Sequence, residues 1–357
     1  MEAASATGTA AGERTPLGES ALFGGGLVEV GDRAWAWLQP NGGLGESNAG
    51  LIVGDGSSLL VDTLWDARLT RLLLTATGEV TAAAGAPLAQ LLNTHGDGDH
   101  WYGNGLLAEA VEIVASERAV EQMRDEPPSM LTRLAPIGPV AGLAGRLPLL
   151  PGRRSMRGLA RFGTALDSYE FGGLEPRLPG RSFSGSIDLD VGGRRVEVIE
   201  VGPAHTAGDV IAWLADARVL FAGDIVFNEV TPIMWAGPVR NWIDALERIE
   251  RLGPEVVVGG HEPPCGVDRV QELRDYWIWL RDEIVASGDD SPHDLAERLV
   301  RSKEYASAPW GTWRNPERTL VNVARIVASR GDEEQSIGTV ERIRLIAAMG
   351  ALAEKLE

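Results

Sequence analysis

Cysteine is the scarcest residue of this 357-residue chain: Cys265 stands alone, which excludes an internal disulfide and any cage of zinc-binding thiolates. Lysine is nearly as rare, with Lys303 and Lys355 the only two, so the basic charge is almost all arginine. Basic residues number 33 against 51 acidic ones, a formal charge of −18. A surface of that sign repels phosphate backbones, and nucleic acid is not an expected partner. No run approaches the roughly 20 apolar residues of a membrane helix, so no membrane association is expected. The N-terminal segment is small and polar, with Glu2, Glu13 and Glu19. It has neither the basic start nor the apolar run of about 7–15 residues that an export signal needs, and a cytoplasmic location is expected. Histidine is also scarce, with five in the chain.

What is present is an ordinary apolar supply, 44% of residues, enough for a large buried core. Segments 27–29 and 34–38 read as a hairpin around Gly31-Asp32-Arg33. Segments 49–53 and 58–62 flank the turn signal Gly54-Asp55-Gly56. Residues 66–75 have helical spacing, with Leu69, Leu72 and Leu73 on one side. Segment 88–94 is a short apolar run that ends at His95, and 112–115 and 117–124 follow as strand and helix. The second half repeats the plan, with hairpins at 187–201 and 209–222, an amphipathic helix over 240–252 and a buried strand at 255–258. Two β-rich halves with helices between them predict two sheets packed face to face with helices outside, an α+β fold in four αββα layers.

Three regions stand outside that repeat. Residues 1–22 are expected to be disordered. Within the main unit, 23–290, the Pro-, Gly- and Arg-rich segment 127–185 reads as an insertion over a face or mouth. Residues 291–357 read as a helical C-terminal extension with a break around 308–315. Either could line a substrate pocket, cover surface or support a homo-oligomer.

The chemistry concentrates in Thr94-His95-Gly96-Asp97-Gly98-Asp99-His100, where two imidazoles and two carboxylates fall within six residues. The glycines allow the backbone to bend so that these side chains converge. Neutral imidazole and carboxylate suit divalent first-row metals. One loop cannot complete two sites, but further ligand types stand at other strand ends: His205 after Gly202-Pro203-Ala204, Asp224 after Phe221-Ala222-Gly223, and His261 after Gly259-Gly260. A calcium loop starting at Asp97 is disfavoured, because Trp101 occupies the next oxygen position and no suitably spaced Glu follows. His293, in Ser291-Pro292-His293-Asp294, reads as structural, at a helix start.

Order and spacing closely resemble the metallo-β-lactamase superfamily, with its His-x-His-x-Asp-His signature followed by a His, a bridging Asp and a last His. The likeness spans about residues 27–287. It implies two divalent metal ions, zinc foremost, with His95 and His205 at the first position, Asp99, His100 and His261 at the second, and Asp224 between them. Asp62, in Leu59-Leu60-Val61-Asp62-Thr63, matches a supporting Asp of that family. The implied activity is hydrolysis of an ester, thioester, lactone or amide by activated water, with Asp99 orienting the nucleophile. Asp209 is a candidate to fix an imidazole through its free nitrogen, or a plain turn residue. Within the superfamily, Ser47-Asn48-Ala49-Gly50, Val201-Gly202-Pro203-Ala204-His205-Thr206, Phe221-Ala222-Gly223-Asp224 and segment 255–261 are most similar to cyclases and cyclase-thioesterases of aromatic polyketide pathways. The substrate implied is a small-molecule or carrier-bound acyl group.

Asp97 departs from the signature, standing where the family has its second His. If it ligates, three carboxylates and a hydroxide cancel the charge of two divalent ions, where the usual set leaves a positive remainder. That would favour a harder ion, iron or manganese, over zinc. If it falls short, only the second position fills strongly. The same Asp keeps a di-iron oxidoreductase or oxygenase open as an alternative, with a non-catalytic ligand-binding member as a third. Trp101 and Tyr102, just after the metal loop, and Trp235, after Asp224, are candidates to stack on a flat or apolar substrate, with a packing role as the rival reading. Trp277 and Trp279 read as helix packing residues.

Overall fold

The computed structural model describes residues 8–130, 143, 152–288, 290–329 and 337–357. Twelve strands among them form two sheets. The first runs β1 (Gly26–Gly31), β2 (Ala34–Leu38), β3 (Ala49–Val53), β4 (Ser58–Val61), β5 (Leu88–Leu92), β6 (Glu112–Ser116) and β7 (Arg181–Phe183), in that spatial order. The second is ordered β12 (Val256–Gly259), β11 (Val219–Gly223), β10 (Val210–Leu214), β9 (Arg194–Glu200), β8 (Ser186–Val191).

Strand alternation makes the layers. On β4, Leu59 and Val61 point to the second sheet, where they meet Val196, Val198, Ala212 and Phe221. Leu60 points the other way, into a cluster with Leu69 and Leu73. Those leucines belong to α1 (Ala67–Ala84), which covers the first sheet with α2 (Glu117–Asp125). On the outer face of the second sheet, Ile211, Trp213 and Leu220 pack under α4 (Val239–Leu252) and α5 (Val267–Ala286). The result is the expected four-layer sandwich.

Helix α1 starts because the Asp66 side chain accepts from the Leu69 amide at 2.7 Å, and it stops at Gly85, which is left-handed at φ 63°. It runs well past residue 75, where the leucine stripe fades. Ala76, Ala82, Ala83 and Ala84 favour helix without marking a face.

Residues 8–22, expected to be disordered, are instead held by backbone bridges between Thr9 and Gly25 and between Arg14 and Ser20. The Leu22 amide also donates to the Asn41 side chain at 2.9 Å. Much of the anticipated insertion, 131–142 and 144–151, lies outside the described residues. The rest contains α3 (Arg153–Leu166), which packs on α9 (Thr339–Leu356) at a glycine crossing. A Cβ on Gly350 would stand 2.4 Å from Gly158 Cα, so the two backbones are in direct contact. Arg157 pairs with Glu354 and Arg161 with Glu357 along the same seam.

The C-terminal extension shares a core with the second half of the sandwich. Leu295 and Leu299 of α6 (Pro292–Val300), Tyr305 of α7 (Lys303–Ser307), and Leu320, Val323 and Ile326 of α8 (Thr319–Ala328) join one cluster with Trp242 and Tyr276. Trp277 is fully buried at 4.6 Å from Trp242, ring centre to ring centre, which is the packing role its position suggested. The expected break near 308–315 is a 3-10 turn at Pro309–Thr312, and a second follows at Pro316–Arg318.

Candidate metal centre

Parallel pairing of β4 with β5, and of β11 with β12, puts the C-terminal ends of these strands at one edge of the sandwich. Every candidate ligand leaves the fold there. The loop after β5 carries His95, Asp97, Asp99 and His100. The loop after β9 carries His205, and the ends of β11 and β12 lead into Asp224 and His261. Ser47 and Asn48 lock the loops together. Asn48 donates to the carbonyls of Gly259 at 3.0 Å and Glu262 at 2.7 Å, and the Ser47 hydroxyl donates to the Asp99 carbonyl at 2.5 Å.

Three ligand groups result: His95, Asp97 and His205; His95, His100 and Asp224; and Asp99, His100 and His261. Asp224 sits between the halves, with carboxylate oxygens 3.3 Å from His100 Nε2 and 3.4 Å from both His205 Nε2 and His261 Nε2. An ion bound at about 2.0–2.1 Å spans tetrahedral ligand-to-ligand edges of about 3.3 Å, so these separations match a coordination shell. Close approach is possible because residue 260 is glycine: a Cβ there would fall 1.8 Å from Asp224 Oδ1.

All four imidazoles are held by the nitrogen that faces away from the centre. His100 Nδ1 lies 2.9 Å from Asp62, His95 Nδ1 2.9 Å from the Thr94 hydroxyl, His205 Nδ1 2.7 Å from the Ile233 carbonyl, and His261 Nδ1 3.1 Å from the Glu46 carbonyl. With Nδ1–H donating outward, each Nε2 presents a lone pair inward. Nε2 of His95, Nε2 of His100 and Oδ1 of Asp224 are buried and have no hydrogen-bond partner among the described residues. Orphaned acceptors facing one point are costly unless a cation satisfies them, so the donor set fits two divalent ions.

Electrostatics divide the four imidazoles: burial would lower all of them, but neighbouring carboxylates outweigh it and raise three, Asp99 and then Asp224 acting on His100, and Asp224 foremost acting on His205 and His261. Burial, and then the neighbouring His100, hold His95 well below the usual imidazole range, which keeps it a neutral ligand. Burial alone would raise the Asp224 carboxyl, but His261, His100 and His205 outweigh it and hold Asp224 well below the usual range.

Asp62 accepts hydrogen bonds at both carboxylate oxygens. One carboxylate oxygen accepts from the Thr94 amide, and the other from the Thr94 hydroxyl, each at 2.7 Å. It therefore orients His100 directly and His95 through Thr94. Asp209 is corrected: it contacts no imidazole. It accepts from the Thr206 amide at 3.0 Å, the Thr206 hydroxyl at 2.6 Å and the Ala204 amide at 3.2 Å, and so shapes the turn that carries His205. The Ile233 carbonyl, which no side-chain pattern announces, takes the imidazole instead.

The three aromatic residues expected at a substrate pocket are corrected as well. Trp101 is fully buried, and its indole donates to the Gly96 carbonyl at 3.1 Å, bracing the metal loop from below. Tyr102 donates to the Glu126 carbonyl at 3.1 Å, and its ring fills the space beside Gly98, where a Cβ would come within 2.4 Å of Cζ. Trp235 is covered by the Arg342 guanidinium, 4.6 Å from its ring centre. Their rings meet protein, which is what large apolar faces next to a structured loop require.

Asp97 does reach the centre, with Oδ2 3.2 Å from His205 Nε2, but it also has partners from two helices distant in the chain. Gln122 donates to Oδ1 at 2.7 Å, and Arg342 Nη2 donates to both oxygens at 2.8 Å. Burial alone would raise this carboxyl. Arg342 above all, then His205 and His95, hold it well below the usual carboxylate range.

An αββα sandwich with an imidazole–carboxylate centre at the strand ends defines a class of metal-binding proteins. The chain belongs to the metallo-β-lactamase superfamily, whose family model matches residues 42–261. Among curated relatives it is 30% identical over 102 residues to a hydroxyacylglutathione hydrolase of Rhodospirillum rubrum, covering 28% of this chain and 40% of that protein. It is 26% identical over 127 residues to a beta-lactamase-like protein 2 homolog of Caenorhabditis elegans, covering 35% and 41%. The matches thus span about two fifths of those relatives' length. Among solved structures, a stereoselective inverting sec-alkylsulfatase from Pseudomonas sp. superposes with a TM-score of 0.60 at 19% identity, covering 86% of this chain and 50% of that one. That likeness is one of fold. Among the described residues, no helix is long and apolar enough to cross a membrane.

Proposed function

We propose that the chain is a hydrolase of esters, thioesters, lactones or related carbonyl compounds, with two divalent ions, zinc foremost, as its cofactors. The observation that carries this reading is the common orientation of four imidazoles around Asp224, each with its outer nitrogen engaged. Divalent ions held there would lower the pKa of water to about 7 and polarise a carbonyl oxygen. The chain's residues supply the positioning. Asp99, with Oδ2 3.5 Å from His261 Nε2, is placed to orient the attacking water. Phe227 stacks on the His261 ring at 5.9 Å and 11°, which limits its rotation.

A small-molecule or carrier-bound acyl thioester is the preferred substrate class. The relatives named hydroxyacylglutathione hydrolases support it, since that name describes an acyl group on glutathione. Within this class, a cyclase or cyclase-thioesterase of aromatic polyketides is the finer proposal, resting on the stretches around Asn48, His205, Asp224 and His261. A di-iron oxidoreductase drew its support from the extra negative charge of Asp97. The guanidinium beside Asp97 offsets that charge, which favours zinc and hydrolysis.

The test is metal content of protein purified without added metal, read beside initial rates on a panel of acyl thioesters, lactones and esters. Zinc with turnover of at least one substrate is expected. Iron with optical iron–oxygen bands and no hydrolysis would overturn the reading.

A further inference from the structure

Arg342 lies on α9, 245 residues beyond Asp97 in the chain, yet it is part of the first metal position. Its Nη2 donates to both Asp97 oxygens at 2.8 Å, and its Nη1 donates to both Glu126 oxygens at 3.1 and 2.9 Å. Its plane lies over Trp235, whose amide donates to the His205 carbonyl at 2.9 Å. One guanidinium thereby touches the carboxylate of the first position and braces the loop that carries the imidazole opposite. The three charged side chains are largely buried, at 15% exposure for Arg342, 16% for Asp97 and 18% for Glu126, so solvent screens them weakly.

Charge explains why such a contact matters. Four neutral imidazoles and three carboxylates give the ligand set three negative charges. The guanidinium returns it to two, the value of a set with a neutral imidazole at position 97. A fixed positive charge hydrogen-bonded to a ligand also repels any cation that ligand would hold, and it occupies lone pairs the cation would use.

We propose that Arg342 is a positioning residue of the first metal position: it offsets Asp97 and opposes the cation there, so that the C-terminal helix sets how tightly that position holds a divalent ion. Glu126 is the counterweight, since it shares the guanidinium and draws its charge from Asp97. This goes beyond the hydrolase reading and rests only on the metal centre, so it is tested by binding and not by turnover.

The experiment titrates the full-length chain with zinc and with manganese against a competing chelator. The dissociation constant lost in His205→Ala is assigned to the first position. In Arg342→Met that constant is expected to fall about tenfold or more, with the second constant nearly unchanged; in Glu126→Gln it is expected to rise about threefold, because the guanidinium then belongs to Asp97 alone. Arg342→Lys, which keeps the charge, should stay within about threefold of the wild type. A single ion in the wild type with a second appearing in Arg342→Met supports the proposal equally. An unchanged or weaker first constant in Arg342→Met overturns it. Should that variant fail to fold, tighter binding in Glu126→Gln overturns it by itself.

Discussion

Asp62 and His100 are joined at 2.9 Å, Oδ2 to Nδ1, although 38 residues separate them. The same oxygen accepts from the Thr94 hydroxyl at 2.7 Å, and that hydroxyl lies 2.9 Å from His95 Nδ1. One carboxylate thus sets the orientation of two imidazoles that belong to different candidate metal positions. Carboxylates placed in this way change metal affinity about 10–100-fold when removed. Asp62→Ala is therefore expected to weaken zinc binding by that amount while the chain stays folded. Chelator competition measures it, and unaltered affinity would mean that the backbone alone orients the rings.

His261 and Asp99 define the second position. His261→Ala or Asp99→Ala should abolish hydrolysis, and His261→Ala should leave one ion fewer per chain by metal analysis. Chelation of the wild type should lower its melting temperature, because ligands that bind only the folded chain stabilise it, by about 4 kcal/mol at a thousandfold excess over Kd. Full activity in either variant would rule out the proposed chemistry.

Glu46 gives a pH dependence of stability. It is 2% exposed, and burial, followed by Glu19, raises its carboxyl to about 7. An acid whose folded pKa lies above its unfolded value binds its proton more tightly in the folded chain. Stability therefore grows as pH falls through about 7, and the gain is complete below the unfolded value. The ionised form costs on the order of 3 kcal/mol above that window. Glu46→Gln, which carries no charge, should melt several degrees higher than the wild type at pH 8 and alongside it at pH 5. Equal differences at the two pH values would disprove this assignment.

Gly350 tests the α3–α9 crossing. A methyl group at this position would meet the Gly158 backbone, which cannot yield as a side chain tip does. Gly350→Ala should destabilise the protein by about 1–3 kcal/mol, measured by denaturant unfolding. Since α9 carries Arg342, the first metal constant should shift in the same variant.

Much of this molecule was legible in the sequence, for identifiable reasons. Segment 58–62 was readable as a strand because it is a short apolar run beside the Gly54-Asp55-Gly56 turn, but Leu59, Leu60 and Val61 are all apolar, so which face of β4 meets which layer is decided only in space. The candidate ligands stood out because each follows a strand, most of them beside a glycine, and because Asp97, Asp99 and their histidines share one short loop. Asp62 came into view only through the resemblance to the superfamily, since a single Asp after an apolar run does not by itself announce a partner. Asp209 was left open because a turn aspartate and an imidazole-holding aspartate have the same neighbours in sequence; the Thr206 hydroxyl decides for the turn only in space. Trp101 and Tyr102 were left between substrate stacking and packing because adjacency to the loop does not say on which side of it a ring packs. Arg342 left no trace, since a surface-helix arginine looks the same whether or not a carboxylate from the far end of the chain lies against it. The charge argument built on Asp97 alone was accordingly incomplete.

The glycine-to-glycine contact of α3 and α9 carries a consequence for descent. Each helix presents bare backbone that the other covers at this crossing, so a lineage discarding one would leave that stretch of the other uncovered. The two segments should consequently be inherited as a pair, kept together or lost together, and genomes that retain the bare sandwich should lack both.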